Sequence, residues 1–193
     1  MNCEIMFEKF YITIISEVFS DLSILIDEFQ IKPHLFVTAD EWGWEKQTEI
    51  DRSMIKSIKT LAENGTIVCV EGTCRDVNCG LYFFKTRDEK YRCELWFSAD
   101  SVDGLTENGI TDKNKYVYDL ITALIKEYCD CSRLVLCAMG INAHVGRSKD
   151  VNVMIERSFD VARWLLPANE SIDDERYTEE LDGGLKMYSV YVR

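Results

Sequence analysis

Apolar and polar positions along the chain follow two periods, and the switches between them mark the elements. Residues 9–15 (Lys-Phe-Tyr-Ile-Thr-Ile-Ile) are β-branched and aromatic and predict a first strand. Val18, Leu22, Leu25 and Phe29 then fall at helical spacing behind Ser16, a candidate N-cap, and Pro33 ends that helix. His34 to Thr38 reads as a short buried strand, followed by the polar-aromatic loop Asp40-Glu41-Trp42-Gly43-Trp44. Thr48 and Asp51 resemble a capping box with Asp in place of Glu. Ile50, Met54, Ile58 and Leu61 carry the apolar face of the second helix, and Asn64-Gly65 stops it.

Three strands are expected next, at 66–71, 81–85 and 91–97, the last two forming a hairpin around Arg87-Asp88-Glu89. In that hairpin Leu81, Phe83, Cys93, Leu95 and Phe97 share one face, and Tyr82, Phe84 and Trp96 the other. A strand pair apolar on both sides is central in its sheet, or has helices on one side and a second covering on the other. A partner is one candidate for that covering. A third helix starts near Thr111 and carries Val117, Leu120, Ile121, Leu124 and Tyr128. Residues 133–138 form an apolar strand and 139–147 a loop. The residues Val151, Ile155, Phe159, Ala162 and Leu166 fit a fourth helix ended by Pro167, although Val151, Val153 and Ile155 also alternate as a strand would. Residues 169–184 are polar, and 185–192 close the chain as a strand.

This order predicts an α+β fold with a mixed, largely antiparallel sheet of about six or seven strands and about four helices packed on it. With 193 residues, two prolines and ten glycines, the chain reads as one globular domain, 1–193, without a linker. A glycine-rich first turn, as a doubly wound fold requires, is missing, and no period of 20–50 residues recurs.

Composition narrows function mainly by exclusion. There are 34 acidic residues against 22 basic ones, a net charge of −12, which argues against polyanion partners such as nucleic acid or anionic membrane. The longest uncharged apolar stretch, Leu134 to Gly146, is too short to span a bilayer, and Glu4 and Glu8 are out of place in a secretory leader, so a cytoplasmic location is expected. The eight cysteines lack two-residue knuckle spacing. They read as buried thiols, with Cys74 and Cys79 the pair best placed to react, and neither metal nor cofactor is expected. Phosphate-loop, nucleophile-elbow and zinc-protease motifs are absent.

The distribution of charge says more than its total. Segments 38–51, 94–112 and 170–182 together hold 17 acids and two bases, while the rest of the chain holds 17 acids and 20 bases. If these segments converge, they make a negative face with aromatic anchors, suited to a basic protein. The residues of such a face are Asp40, Glu41, Trp42, Trp44, Glu45, Asp100, Asp103, Asp173, Asp174, Glu175, Tyr177, Glu179 and Glu180.

An acidic α+β chain with the run Asp40-Glu41-Trp42-Gly43-Trp44-Glu45, the 170–182 acidic stretch and the strand Phe10-Tyr-Ile-Thr-Ile-Ile15 resembles, in general character, bacterial immunity proteins. The resemblance implies a non-catalytic protein that blocks a cognate toxin, often a basic nuclease. Two other readings stand beside it. One is a small enzyme with a site around His144, Asn142, Arg147 and Cys137. The other is an adaptor that forms a homodimer through exposed apolar strands.

Overall fold

In the computed structural model, the apolar strand β1 (Lys9–Ser16) occupies the middle of a ten-stranded sheet, with antiparallel β6 (Tyr91–Ser98) on one side and antiparallel β7 (Leu134–Ile141) on the other. The structure describes residues 8–18, 31–40, 43–47, 52–102, 104–105, 109–172, 177–181 and 184–192, with side chains for all of these except 40, 43–47, 52–56, 177, 178 and 180. The expected first helix and the Thr48/Asp51 cap lie outside the described residues.

The remaining strands are β2 (Lys32–Asp40), β3 (Gly43–Gln47), β4 (Ile67–Cys74), β5 (Val77–Lys85), β8 (Arg163–Pro167), β9 (Tyr177–Leu181) and β10 (Leu185–Ser189). Across the sheet the order is β3-β2-β4-β5-β6-β1-β7-β8-β10-β9, and every adjacent pair is antiparallel. The α+β class is as expected, but the sheet is antiparallel rather than mixed. It also has three strands more than the pattern gave, namely β3, β8 and β9. Three α-helices are described: α1 (Arg52–Glu63), α2 (Lys115–Tyr128) and α3 (Val151–Glu156). None of the described helices is long and apolar enough to cross a membrane.

The expected helix over 149–166 is corrected. Asp150 caps α3 by accepting from the amides of Asn152 and Val153. The Ser158 hydroxyl then donates to the Met154 carbonyl at 2.6 Å, and Asp160 takes φ 57°, so the helix ends after six residues. Ala162 to Leu166 are buried on both sides of the sheet, and such a run carries no strand period. The hairpin between β4 and β5 is tighter than expected. Arg75 and Asp76 both have positive φ and form a two-residue turn, which puts Val77 and Asn78 in the strand.

Two apolar clusters lie on opposite sides of the sheet. The larger takes Phe10, Ile12 and Ile14 of β1, Leu81, Phe83, Cys93 and Leu95 of the hairpin, Ile58 and Ala62 of α1, and Val117, Ile121 and Ile125 of α2. The smaller takes Ile15, Leu136, Ala138, Trp164, Leu166 and Tyr188 with Met154 of α3, and includes nothing from β2, β4, β5 or β6.

On the first face α2 is tied down by Arg163, which is fully buried. Arg163 donates from Nη1 to Asp119 at 2.8 Å and to the Thr122 hydroxyl at 3.2 Å, and from Nε to Ser189 at 3.1 Å. Partial burial works to raise the Asp119 pKa, but hydrogen bonds from Lys115 and Arg163 outweigh it and hold the carboxyl below its ordinary value. A depressed carboxyl contributes stability above its unfolded pKa and loses it as pH falls through the folded one. Because Asp119 is 44% exposed and screened by water, we expect Asp119→Asn to cost only about 1 kcal/mol at pH 7. The gap from wild type should close below about pH 4, as urea unfolding across pH will show.

Candidate functional site

Strand polarity decides whether the acidic segments can meet. Ala39 pairs with Ile67 at the start of β4, Val68 with Phe83 on β5, and Phe83 with Cys93 near the start of β6. The paired residues Asp40 and Gly43 therefore sit at the end of the sheet where β6 begins, whereas Asp100 follows the end of β6 on a 3-10 turn, Ala99–Ser101. β3, with Trp44 and Glu45, and β9, with Tyr177, Glu179 and Glu180, form the two opposite edges of the sheet. At the usual strand spacing those edges are roughly 40 Å apart along the sheet. Glu41, Trp42, Asp103, Asp173, Asp174 and Glu175 lie outside the described residues. The strand-borne parts of the segments are thus set apart across the sheet, and the described residues do not meet the condition on which a single negative face depends.

A different surface emerges from the alternation in β1, β5 and β6. Their first-face residues fill the core, so the intervening ones must point the other way. Register aligns Thr13, Glu94, Tyr82 and Cys69 in one row across β1, β6, β5 and β4, and Tyr11, Trp96, Gly80 and Glu71 in the next. The buried side chains of α1 and α2 join the first-face cluster and that of α3 joins the β7–β8–β10 half. Among the described residues, then, no buried helical side chain packs on this half of the second face. Tyr11, Tyr82, Phe84 and Glu94 remain half-exposed there. Trp96 lies flat on Gly80, where a Cβ would meet the indole at 2.7–2.8 Å, and Lys9 Nζ sits 3.8 Å above the ring.

The wall of this surface is the loop after β7. Asn142, at φ 52°, donates its amide to the Lys9 carbonyl and accepts the Lys9 amide on Oδ1. His144 and Phe159 exchange two main-chain hydrogen bonds and stack ring on ring at 4.9 Å. The loop is pinned to the sheet by Arg92, only 2% exposed. Its Nε and Nη2 donate to Glu94 Oε1 at 2.7 and 2.6 Å, and Nη2 and Nη1 donate to the carbonyls of Val145 and Gly146 at 2.8 and 3.4 Å. Burial lowers the Arg92 pKa, and the Glu94 charge opposes that.

Between sheet and loop lies a cavity of about 340 Å³ bordered by Tyr11, Thr13, Tyr82, Glu94, Asn142 and His144. Burial and then the Glu94 charge raise the Tyr11 pKa. Burial and Cys69, whose sulfur hydrogen-bonds to the Tyr82 hydroxyl, push Tyr82 up to about 12. Both phenols are therefore neutral at physiological pH.

Of the four residues in the enzyme reading, only Asn142 and His144 border the cavity. Cys137 is fully buried in the cluster on the other side of the sheet, and Arg147 is turned onto Phe84, 5.5 Å from the ring centre. No three His, Cys, Asp or Glu side chains among the described residues converge as a metal site requires. Sequence reading placed Tyr82, Phe84 and Trp96 on this face. It missed Tyr11 and Thr13, for which the available signal was the alternation within 9–15, two polar-tipped residues set between the core residues Phe10, Ile12 and Ile14.

Since Arg92 is desolvated while Glu94 is partly open to water, the pair is asymmetric. Glu94→Gln, which leaves the buried guanidinium without its counter-charge, should cost about 3 kcal/mol. Arg92→Met, which leaves a carboxylate that water can reach, should cost about 1–2 kcal/mol. Denaturant unfolding of the two variants tests this, and the reverse order would rule it out. Compared with known proteins, the chain matches no protein-family model, no curated protein and no solved structure, so what it does has to be read from the residues of this face.

Proposed function

We propose that the chain is a non-catalytic binding protein that neutralises a basic protein partner, as an immunity protein neutralises its cognate toxin. The partner docks on the half of the sheet formed by β4, β5, β6 and β1. The observation that carries this reading is the second face itself. It displays half-exposed Tyr11, Tyr82 and Phe84 around Glu94, and no buried side chain of a described helix covers it. Tyrosine in a partly desolvated setting is a residue type that anchors interfaces.

The acidity acts at longer range. A net charge of −12 attracts a basic partner from any direction and raises the encounter rate without needing a single acidic patch. Specific docking then falls to the aromatic face, and neutralisation follows from steric blockage with no turnover.

The test is a photo-crosslinking amino acid placed at Phe84, with the exposed α2 position Leu120 as control. A basic protein should be trapped at Phe84 and not at Leu120. With that protein purified, Tyr82→Arg should weaken the complex at least tenfold, and raising salt from 0.05 to 0.5 M should slow association by roughly tenfold. Crosslinks confined to Leu120, or an affinity indifferent to Tyr82→Arg, would refute docking on this face.

A further inference from the structure

The cavity beside Glu94 has a chemical preference that follows from counting donors. Arg92 spends its described hydrogen bonds on Glu94 Oε1 and on the carbonyls of Val145 and Gly146. Arg147 is turned onto Phe84, and Lys9 lies over Trp96. None of the residues bordering the cavity is a lysine or an arginine. The acceptors are not used up. Both donations from Arg92 fall on Oε1 of Glu94, and no described residue donates to Oε2, although the carboxylate borders the cavity. Tyr82 borders the same cavity, and its phenol oxygen has lone pairs to accept with, whichever way its proton points. Tyr11 and Tyr82 add aromatic rings, whose faces attract cations.

We infer that this cavity receives one basic side chain, an arginine or a lysine projecting from the protein partner, held by Glu94 Oε2 and the Tyr82 oxygen between the rings of Tyr11 and Tyr82. The inference rests on the proposed docking face and names what its centre recognises. Charge complementarity selects the occupant. An anion would meet a carboxylate and no free cation. A neutral chain could donate to Oε2 but would make no charge-assisted bond there. The acceptors lie inside a walled space, so a single projecting side chain fits the geometry better than a flat contact. It also explains why the face can be specific while the acidic segments lie far apart: long-range charge recruits the partner and one pocket fixes its register.

The probe is N-acetyl-arginine N-methylamide, with the lysine analogue beside it and the citrulline analogue, nearly isosteric and uncharged, as control. In wild-type protein, NMR titration should give saturable shifts at Tyr11, Tyr82 and His144 for the cationic probes, with citrulline at least tenfold weaker. Glu94→Gln should abolish the preference for charge. Because that variant is expected to be less stable, Tyr82→Leu and Tyr11→Leu serve as second variants, each weakening the arginine probe at least fivefold with an unchanged circular dichroism spectrum. Equal responses to arginine and citrulline would overturn the inference, as would shifts spread over the acidic segments or tyrosine variants that bind like wild type. The two readings separate cleanly. If the Phe84 crosslinker traps a basic protein but the probes do not discriminate by charge, the docking face stands and the pocket falls. If the probes discriminate and nothing is trapped, the cation pocket stands alone and docking falls.

Discussion

Everything in this molecule depends on β1 being hydrogen-bonded on both edges. The chain builds β2 to β6 on one side of it and β7 to β10 on the other, and among the described strands no other pairing joins the two halves. A strand in that position must be apolar toward one side along its whole length, and Phe10, Ile12 and Ile14 meet that demand. On its other side β1 changes character. Ile15 belongs to the covered half, whereas Tyr11 and Thr13 border a cavity. The division between the covered core and the face that carries the cavity runs through this single strand.

Two buried arginines fasten the layers on either side. Arg163, in the second half of the sheet, holds α2 on the first face through Asp119 and Thr122. Arg92, in the first half, holds the loop after β7 on the second face through Glu94 and two carbonyls. Each desolvates a guanidinium and offsets the cost with one ion pair, to which Arg92 adds two main-chain carbonyls and Arg163 two side-chain hydroxyls, so each fixes geometry more than it adds stability. For the site, this means that the wall of the cavity has a defined position relative to its floor, which a specific pocket requires.

Legibility in the sequence followed burial. β1 was visible through its β-branched and aromatic content, and the alternation in β5 and β6 assigned the hairpin residues to their correct sides. The three strands that escaped notice did so for opposite reasons. β3 (Gly-Trp-Glu-Lys-Gln) and β9 (Tyr-Thr-Glu-Glu-Leu) are edge strands, whose polar residues protect an open edge and look like loop. β8 is buried on both sides, so it has no period, and its apolar residues happened to extend a helical spacing begun by α3. The acidic segments were equally legible as composition, but their positions depend on strand order. Nothing in 38–51 or 170–182 signals that β3 and β9 end up at opposite edges. The site was half legible: Tyr82 and Trp96 followed from alternation, whereas the Arg92–Glu94 pair and its hold on the loop at 142–147 are long-range contacts that no local pattern encodes.

The cavity has its floor in β5, β6 and β1 and its wall in a loop that follows β7, so it straddles the seam between the two halves of the sheet. A molecule seated there touches both halves at once and has affinity only for the assembled state. By mass action its occupancy is then counted in full as resistance to unfolding. Because the seam is where the halves must come apart, the bound form should outlast the free form most clearly against proteases, which act on transiently opened chains. Occupancy of the cavity would thus lengthen the lifetime of the chain, and the unoccupied fraction would be the one that is cleared.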